Sequence, residues 1–258
     1  MMRGSWKIRI IIGLLIAGYT YWQYNSSKEV NKYTGREQAM ALEPQEEIAM
    51  GLQSRNQMAQ QHGGLYPDES AQQTVDRVGK RLVDSSMAAG SEYVYEFHLL
   101  ADDQTINAFA LPGGQIFITY ALFSQLETED QLAGVLGHEI GHVLGRHSSE
   151  RIADAGLWEG LAQAGSVGAD MGGMIANMGQ NKLLTNGRDD ELESDDLGIR
   201  FMMKAGYDPY QMMQVMEILK ASAGPNRVPE HKSTHPDPDN RMEKIEASIQ
   251  KYKTELGL

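Results

Sequence analysis

The sequence predicts an α+β fold, mainly helical, with a small β-sheet placed directly before a metal-binding helix. Three observations carry this. Apolar residues recur at helical spacing over most of the chain. Three short runs between positions 93 and 119 read as strands. The segment His138-Glu139-Ile140-Gly141-His142 lies inside a well-marked helix that follows them.

From the N-terminus, Arg3, Lys7 and Arg9 precede an apolar run from Ile10 to Trp22. Positive charge on that side predicts a cytoplasmic N-terminus and an exported remainder. The run is shorter than the roughly 20 residues that span a bilayer. No A-x-A cleavage site follows, and Tyr19, Tyr21, Trp22 and Tyr24 resemble an interfacial aromatic belt. Residues 1–24 are therefore expected to be a signal-anchor, with a removed signal peptide as the alternative. Residues 25–44 are polar and read as a tether. The catalytic-type domain is expected over 45–258.

Within that domain, helices are expected over about 45–61 and 69–88. The second presents Val75, Val78, Leu82 and Val83 to a core. Tyr93, Tyr95, Phe97 and Leu99 alternate, which predicts a strand over 93–100. A second strand is expected near 107–110. A turn at Leu111-Pro112-Gly113-Gly114 leads to a third strand at Gln115-Ile116-Phe117-Ile118-Thr119.

The next helix starts at Thr128-Glu129-Asp130-Gln131, a capping box with acids in the first turn. Residues i and i+4 share one helical face, so His138 and His142 can reach one ion with Glu139 beside it as a general base. Gly134, Gly137, Gly141 and Gly145 form a stripe adjoining the histidines. Glycine inside a helix costs about 1 kcal/mol against alanine, so the stripe implies a close backbone approach. Residues 152–182 are rich in Gly, Ala and Met and read either as a lid or as a helix pair with small residues at its contact.

A third ligand has two candidates. His147 is one position too early for the longer zinc motif, and one residue rotates a helical side chain by about 100°. Glu191 is followed four residues later by Asp195 on the same face. Glu191 would ligate the ion, and Asp195 would accept the free N–H of a ligand histidine and fix its tautomer. Three protein ligands leave a fourth position for water, as in catalytic rather than structural zinc sites. This helix is expected to run through Met203 and end near Gly206. Another is expected over about 209–221, and a last one from around Asp239, with Met242, Ile245 and Ile249 inward.

The ordered set of Asn107–Gly114, Gly137–Arg151, Glu191–Gly198, Ala205–Pro209 and Ser233–Met242 resembles metallopeptidase family 48, the CAAX-prenyl-protease and HtpX group. Its bacterial extracytoplasmic, Oma1-like branch is the nearer likeness, over roughly residues 45–250. Ser194 replaces the usual Ala, and "TNGRDD" precedes Glu191, but neither departure touches a proposed ligand. The resemblance implies a zincin-like metallopeptidase domain with one Zn²⁺ held by His138, His142 and Glu191. It places His235, in a Thr-His-Pro sequence, near the metal, either as an oxyanion donor or as an occluding group. It places Arg241 on the same wall. It also implies that the strand beside the site receives substrate by backbone pairing, for which Gln115, Ile116 and Phe117 are the candidates.

Composition limits the partners. Net charge is −12 over 258 residues, which speaks against nucleic acid and polybasic membrane contact. The chain has no cysteine, which excludes disulfides and thiolate-bound zinc. No pattern suggests a nucleophilic Ser or Cys triad. The expected function is a zinc-dependent endopeptidase acting on extracytoplasmic or membrane-associated polypeptides in protein quality control. The alternative is a zinc-braced, chaperone-like binding protein. The expected location is the bacterial periplasm, tethered to the inner membrane or soluble if the segment is cleaved.

Overall fold

The computed structural model describes residues 5–222, 235 and 240–257. Arg3, His231, and the Ser233–Asp239 stretch apart from His235 lie outside them. By internal contacts the chain divides into two units. One comprises residues 1–42 and 146–187, the other 43–145 and 188–258. Residues 146–187 thus group with the N-terminal segment rather than with the helices before and after them.

The second unit carries the sheet and the candidate site. Helix α2 (Pro44–Gln61) starts with Pro at its first position, where the missing N–H costs nothing. Asp68 caps α3 (Glu69–Asp84), accepting from the N–H groups of Ser70 and Ala71. Val75, Val78 and Leu82 of α3 are buried as the periodicity predicts. A single 3-10 turn (Met87–Gly90) follows.

Strands β3 (Glu96–Leu100), β4 (Ala108–Leu111) and β5 (Gln115–Thr119) form one sheet in the order β3-β5-β4. β3 runs parallel to β5, and β4 antiparallel to it. The turn between β4 and β5 depends on glycine. Gly113 has φ +83°, and a Cβ there would lie 2.4 Å from the Ile48 Cα of α2. The two-stranded pair β1 (Lys28–Val30) and β2 (Glu37–Ala39) belongs to the other unit.

The sheet order corrects one expectation. Gln115, Ile116 and Phe117 lie in the central strand, bonded to neighbours on both sides and fully buried. Their backbone groups are already paired, so β5 has no edge to offer a peptide. The open edge is β4, which pairs with β5 alone among the described residues and packs against helix α5.

After the short α4 (Tyr120–Phe123), α5 (Glu129–Leu144) carries the histidines. Thr128 accepts from the Gln131 N–H at 3.2 Å, as the cap predicts. Its partner residue works differently. The Gln131 side chain accepts from the Glu127 N–H at 2.7 Å, bracing the loop before the cap. α5 is buried nearly all round rather than along one stripe, because it lies at the centre of its unit. α3, α8 (Gln211–Ser222), the sheet and the second half of α7 (Gly172–Ala205) surround it. Ile245, Ile249 and Tyr252 of α9 (Arg241–Leu256) are buried in the same unit.

The glycine stripe is where α5 meets α7. A Cβ on Gly137 would lie 3.3 Å from the Gly198 backbone, and one on Gly141 would lie 2.9 Å from Ser194 Cα. The two backbones touch with no side chain between them.

In the first unit, α1 (Ser5–Ser26) lies along α6 (His147–Ala169), and the start of α7 turns back beside α6. The Gly/Ala/Met-rich segment is therefore a packed helix pair rather than an irregular cover. Residues 25–44, expected as a plain tether, hold the β1–β2 hairpin. Arg36 donates to both carboxylate oxygens of Glu150, at 3.2 and 2.6 Å, and Ser149 Oγ accepts from the N–H groups of Ala41 and Leu42. No described helix is both long and apolar enough to cross a membrane.

Gly141→Ala is expected to destabilise the protein by about 1–2 kcal/mol. Overpacking against Ser194 costs about 1–3 kcal/mol, which outweighs a helix-propensity gain of up to about 1 kcal/mol. Gly156→Ala in α6, where an added Cβ meets nothing within 4 Å, is expected to stabilise instead. Denaturant midpoints of the two variants check the sign; equal shifts would remove the close-approach explanation.

Candidate metal centre

Two helices build the centre. α5 presents His138 and His142 one turn apart, and α7 presents Glu191 and Asp195 one turn apart. The backbone contact at Gly137/Gly198 and Gly141/Ser194 brings the four side chains into one buried space. Glu191 and Asp195 are 0% and 2% exposed, which no carboxylate tolerates without compensating partners.

The ligand atoms converge. His138 Nε2 lies 3.0 Å from His142 Nε2 and 3.3 Å from Glu191 Oε2. His142 Nε2 lies 3.3 Å from Glu191 Oε1. His235 joins them, with Nδ1 at 2.9 Å from Glu191 Oε1 and 3.4 Å from His138 Nε2. These four residues form the candidate metal group among the described residues. Bonds of about 2.0–2.1 Å in tetrahedral array separate ligand atoms by about 3.3–3.4 Å, close to the spacings found. His147 is not one of the four; it is the first residue of α6, following Arg146 in a left-handed conformation.

The proton inventory also suits a cation. His138 Nδ1 bonds Asp195 Oδ1 at 2.8 Å. A neutral His138 therefore carries its proton on Nδ1 and turns an Nε2 lone pair toward His142 and the Glu191 carboxylate. Several lone pairs pointing at one another are repulsive until a positive charge sits among them. Glu139 lies beside this point and is 2% exposed. Its Oε2 has no hydrogen-bond partner among the described residues, and its Oε1 is 3.6 Å from His235 Nε2. A buried carboxylate oxygen left unbonded is costly unless it has a partner in function. The residues present thus fit a divalent ion with a water or substrate beside Glu139.

Arg241 is the part that sequence reading left without a role. It opens α9 and grips Asp195 with two bonds, Nε to Oδ2 at 2.7 Å and Nη2 to Oδ1 at 2.9 Å. The same Nη2 is 3.3 Å from Glu191 Oε2. The usable signal is chemical: a buried Asp and Glu one turn apart require a nearby cation besides the metal.

The protonation preferences follow from these contacts in the absence of an ion. Burial pulls His138 down, but its hydrogen bonds to Asp195 and Glu191 outweigh that and push it up to about 10. Burial also opposes the charged His235, yet the Glu191 and Glu139 carboxylates raise it. For Glu191, burial is overcome by the charge of His235 and by bonds from His138 and His142, leaving it well below the usual carboxylate range. Asp195 is lowered likewise, against burial, by Arg241 and His138.

His235 Nε2 also reaches out of the cluster and lies 3.2 Å from the Ala108 carbonyl at the start of β4. One imidazole therefore touches both the candidate metal position and the open sheet edge. The Asn107–Gly114 stretch noted in the sequence contains this edge.

A metal-free sample is expected to lose stability as pH rises from about 6.5 through about 10. His138 gains affinity for its proton on folding, so its contribution is complete below its unfolded value and disappears above its folded one. A bound divalent ion replaces that proton, so the loaded protein is expected to lose less over the same window. Denaturant midpoints of chelator-treated and loaded protein across this range provide the check; parallel curves would contradict it.

The model of "Peptidase family M48" matches residues 69–249, covering both helices of the centre and Arg241. The mitochondrial metalloendopeptidase OMA1 of Schizosaccharomyces pombe is 33% identical over 67% of this chain and 51% of its own length. The beta-barrel assembly-enhancing protease of Escherichia coli K12 is 32% identical over 69% of this chain and 39% of its own. The OMA1 metalloendopeptidase of Bos taurus is 27% identical over 96% of this chain and 51% of its own. The chain thus spans about half or less of the length of these relatives. A family match that takes in the paired histidines of α5, the paired carboxylates of α7 and the α9 arginine leads to one conclusion: the chain belongs to peptidase family M48.

Proposed function

We propose that the chain is a zinc-dependent endopeptidase acting on extracytoplasmic or membrane-associated polypeptides in protein quality control. The observation that carries this is the convergence of His138, His142 and Glu191 at near-tetrahedral spacing beside the Glu139 carboxylate, whose Oε2 is unbonded among the described residues. Relatives named metalloendopeptidase and beta-barrel assembly-enhancing protease support the same class. The orphaned Glu139 oxygen favours catalysis over a zinc-braced binding protein, which needs no base at this point.

In this reading His138, His142 and Glu191 hold one Zn²⁺. Bound there, zinc lowers the pKa of a water to about 7 and polarises the scissile carbonyl. Glu139 would act as the base, accepting a proton from the attacking water on its free Oε2 and passing it to the leaving amine. Asp195 keeps the His138 proton on Nδ1, and Arg241 holds Asp195 ionised and in place. An extended peptide pairs with the β4 edge, so β4 takes the role first expected of Gln115, Ile116 and Phe117.

His235 has two possible parts. Its Nδ1 lies among the ligand atoms, 2.9 Å from Glu191 Oε1 and 3.4 Å from His138 Nε2, where it would exclude water while it remains there. Moved aside, the same ring is close enough to donate to an oxyanion. The N-terminal segment, with its basic flank and aromatic belt, serves as a tether to the inner membrane, leaving the second unit in the periplasm.

The purified protein is expected to hold about one zinc per chain and to lose proteolysis with a chelator. Elemental analysis finding no stoichiometric metal in protein never exposed to chelator would count against the centre. Glu139→Gln is expected to keep its zinc while losing about 10²-fold or more in peptide cleavage, the usual scale for a positioned base. Cleavage at the wild-type rate by that variant would remove Glu139 from the reaction.

His235→Ala is expected to leave zinc content close to one per chain and to alter turnover. A rise identifies a group that blocks the fourth vertex. A fall of about 10²–10³ identifies an oxyanion donor. Unchanged kinetics would place His235 outside the reaction.

A further inference from the structure

The first unit contains a feature that tethering does not use. α1 is not an isolated helix. It lies antiparallel along α6 from end to end. Tyr24 donates to Asp154 at 2.7 Å, and Thr20 packs against Gly160. Gly13 meets Ala164 and Gly168, and Arg9 donates to the Val167 carbonyl at 2.9 Å and to Asp170 at 2.9 Å. The contacts at Gly13, Gly160 and Gly168 are between backbones or against small side chains. Added Cβ atoms at Gly13 and Gly160 would lie 2.8 Å and 2.5 Å from the neighbouring helix. Without a hydrophobic effect to drive association, helices in lipid associate through such small-residue contacts.

The hairpin formed by α6 and the start of α7 is closed by the same means. Gly165 meets Ile175, and Gly179 meets Trp158. Between Gly160 and Asn181 the chain has one charged residue, Asp170, at the tip; the exposed Glu159 and Lys182 flank that stretch toward the Asp154 end. That charge is paired with Arg9, which with Lys7 lies in the first turns of α1. On the outside of the hairpin Met171, Met174 and Met178 are about half exposed and lie at helical spacing. On α1, Ile8, Ile11, Ile12, Leu14, Leu15, Tyr19 and Trp22 are similarly exposed.

We propose that the α6–α7 hairpin enters the bilayer together with α1, with the Met171/Met174/Met178 stripe facing lipid. The proposal rests on the tether reading above and extends it from one helix to three. The argument is geometric. Any plane that cuts α1 between Arg9 and Tyr24 also cuts α6 between Asp154 and Asp170. If lipid surrounds the first, it surrounds the second. Arg9 and Asp170 enter as a neutral pair at one boundary, and Tyr24 with Asp154 marks the other. The distance between them, 15 helical steps, is about 22 Å, against a hydrocarbon core of about 30 Å. Local thinning and outward reach of Arg9 accommodate that shortfall. α1 alone is too polar for a single span, and pairing satisfies its Arg9 and Tyr24 side chains internally.

The chain's lack of cysteine makes the test direct. Full-length protein carrying Leu15→Cys, Met174→Cys, Met178→Cys or Lys244→Cys is labelled with a fluorophore. Each is reconstituted in phosphatidylcholine/phosphatidylglycerol vesicles containing lipids with mid-chain nitroxides. Gly173→Cys, where an added Cβ meets nothing within 4 Å, provides a further position of low folding risk. Probes at Leu15, Met174 and Met178 are expected to lose about half or more of their fluorescence, since a probe within the about 30 Å core meets the nitroxides. The probe at Lys244, exposed on α9, is expected to lose little.

Quenching at Leu15 with Met174 and Met178 behaving like Lys244 would overturn the proposal while leaving the tether intact. No quenching at Leu15 would overturn both. Protection of Met174 and Met178 from nitroxide lipid and from a water-soluble quencher alike would assign the stripe to a protein contact, such as a second copy, and would also overturn it.

Discussion

The second unit depends on the distance of closest approach between α5 and α7. At Gly137, Gly141 and Gly198 the two helices touch backbone to backbone. That approach costs helix propensity, about 1 kcal/mol per glycine. It is what allows short, stiff side chains to meet. An imidazole on one helix and a carboxylate on the other have little reach. At an ordinary interhelical distance of 8–10 Å, set by side chains at the contact, the rings and carboxylates would be held farther apart. Here His138 and His142 meet Glu191 at 3.3 Å each.

Close approach creates an electrostatic problem that the same unit resolves. Glu191 and Asp195 on α7 and Glu139 on α5 are almost fully buried, as is Asp190 beside them. The buried opposite charge comes from Arg241, bonded twice to Asp195 and near Glu191, and from whatever cation occupies the centre. α9 is thus joined to the metal position through a short chain of bonds: arginine, aspartate, histidine. Its apolar side, with Ile245 and Ile249, anchors the arginine in the core of the same unit. Packing and charge compensation are therefore one arrangement, with the hydrophobic face of a helix holding a guanidinium where water cannot substitute for it.

Much of this was legible in the sequence because it is local. The Thr128 cap, the i, i+4 histidines, the i, i+4 acids and the glycine stripe each follow from helical periodicity, and β5 matches its expected limits. What the sequence did not reveal depends on pairing between distant segments. Strand order is such a property: β5 is as apolar as an edge strand beside a cleft or a central strand would be, and only the registers with β3 and β4 decide between them. The Arg241–Asp195 grip joins residues on different helices with no periodic signature. The β1–β2 pair was hidden because each strand has three residues, too few for alternation to register.

His235 bonds toward the Ala108 carbonyl with one ring nitrogen and sits among the ligands with the other. In the proposed function, strand addition and access to the centre would be thermodynamically linked, since both begin with the departure of the same ring. A long extended chain that gains several backbone bonds along β4 supplies free energy to the opening. A dipeptide, with at most one or two such bonds, supplies little. Under the proposed function, length discrimination would follow without any pocket that measures length, and unfolded segments would be favoured over the short products of cleavage.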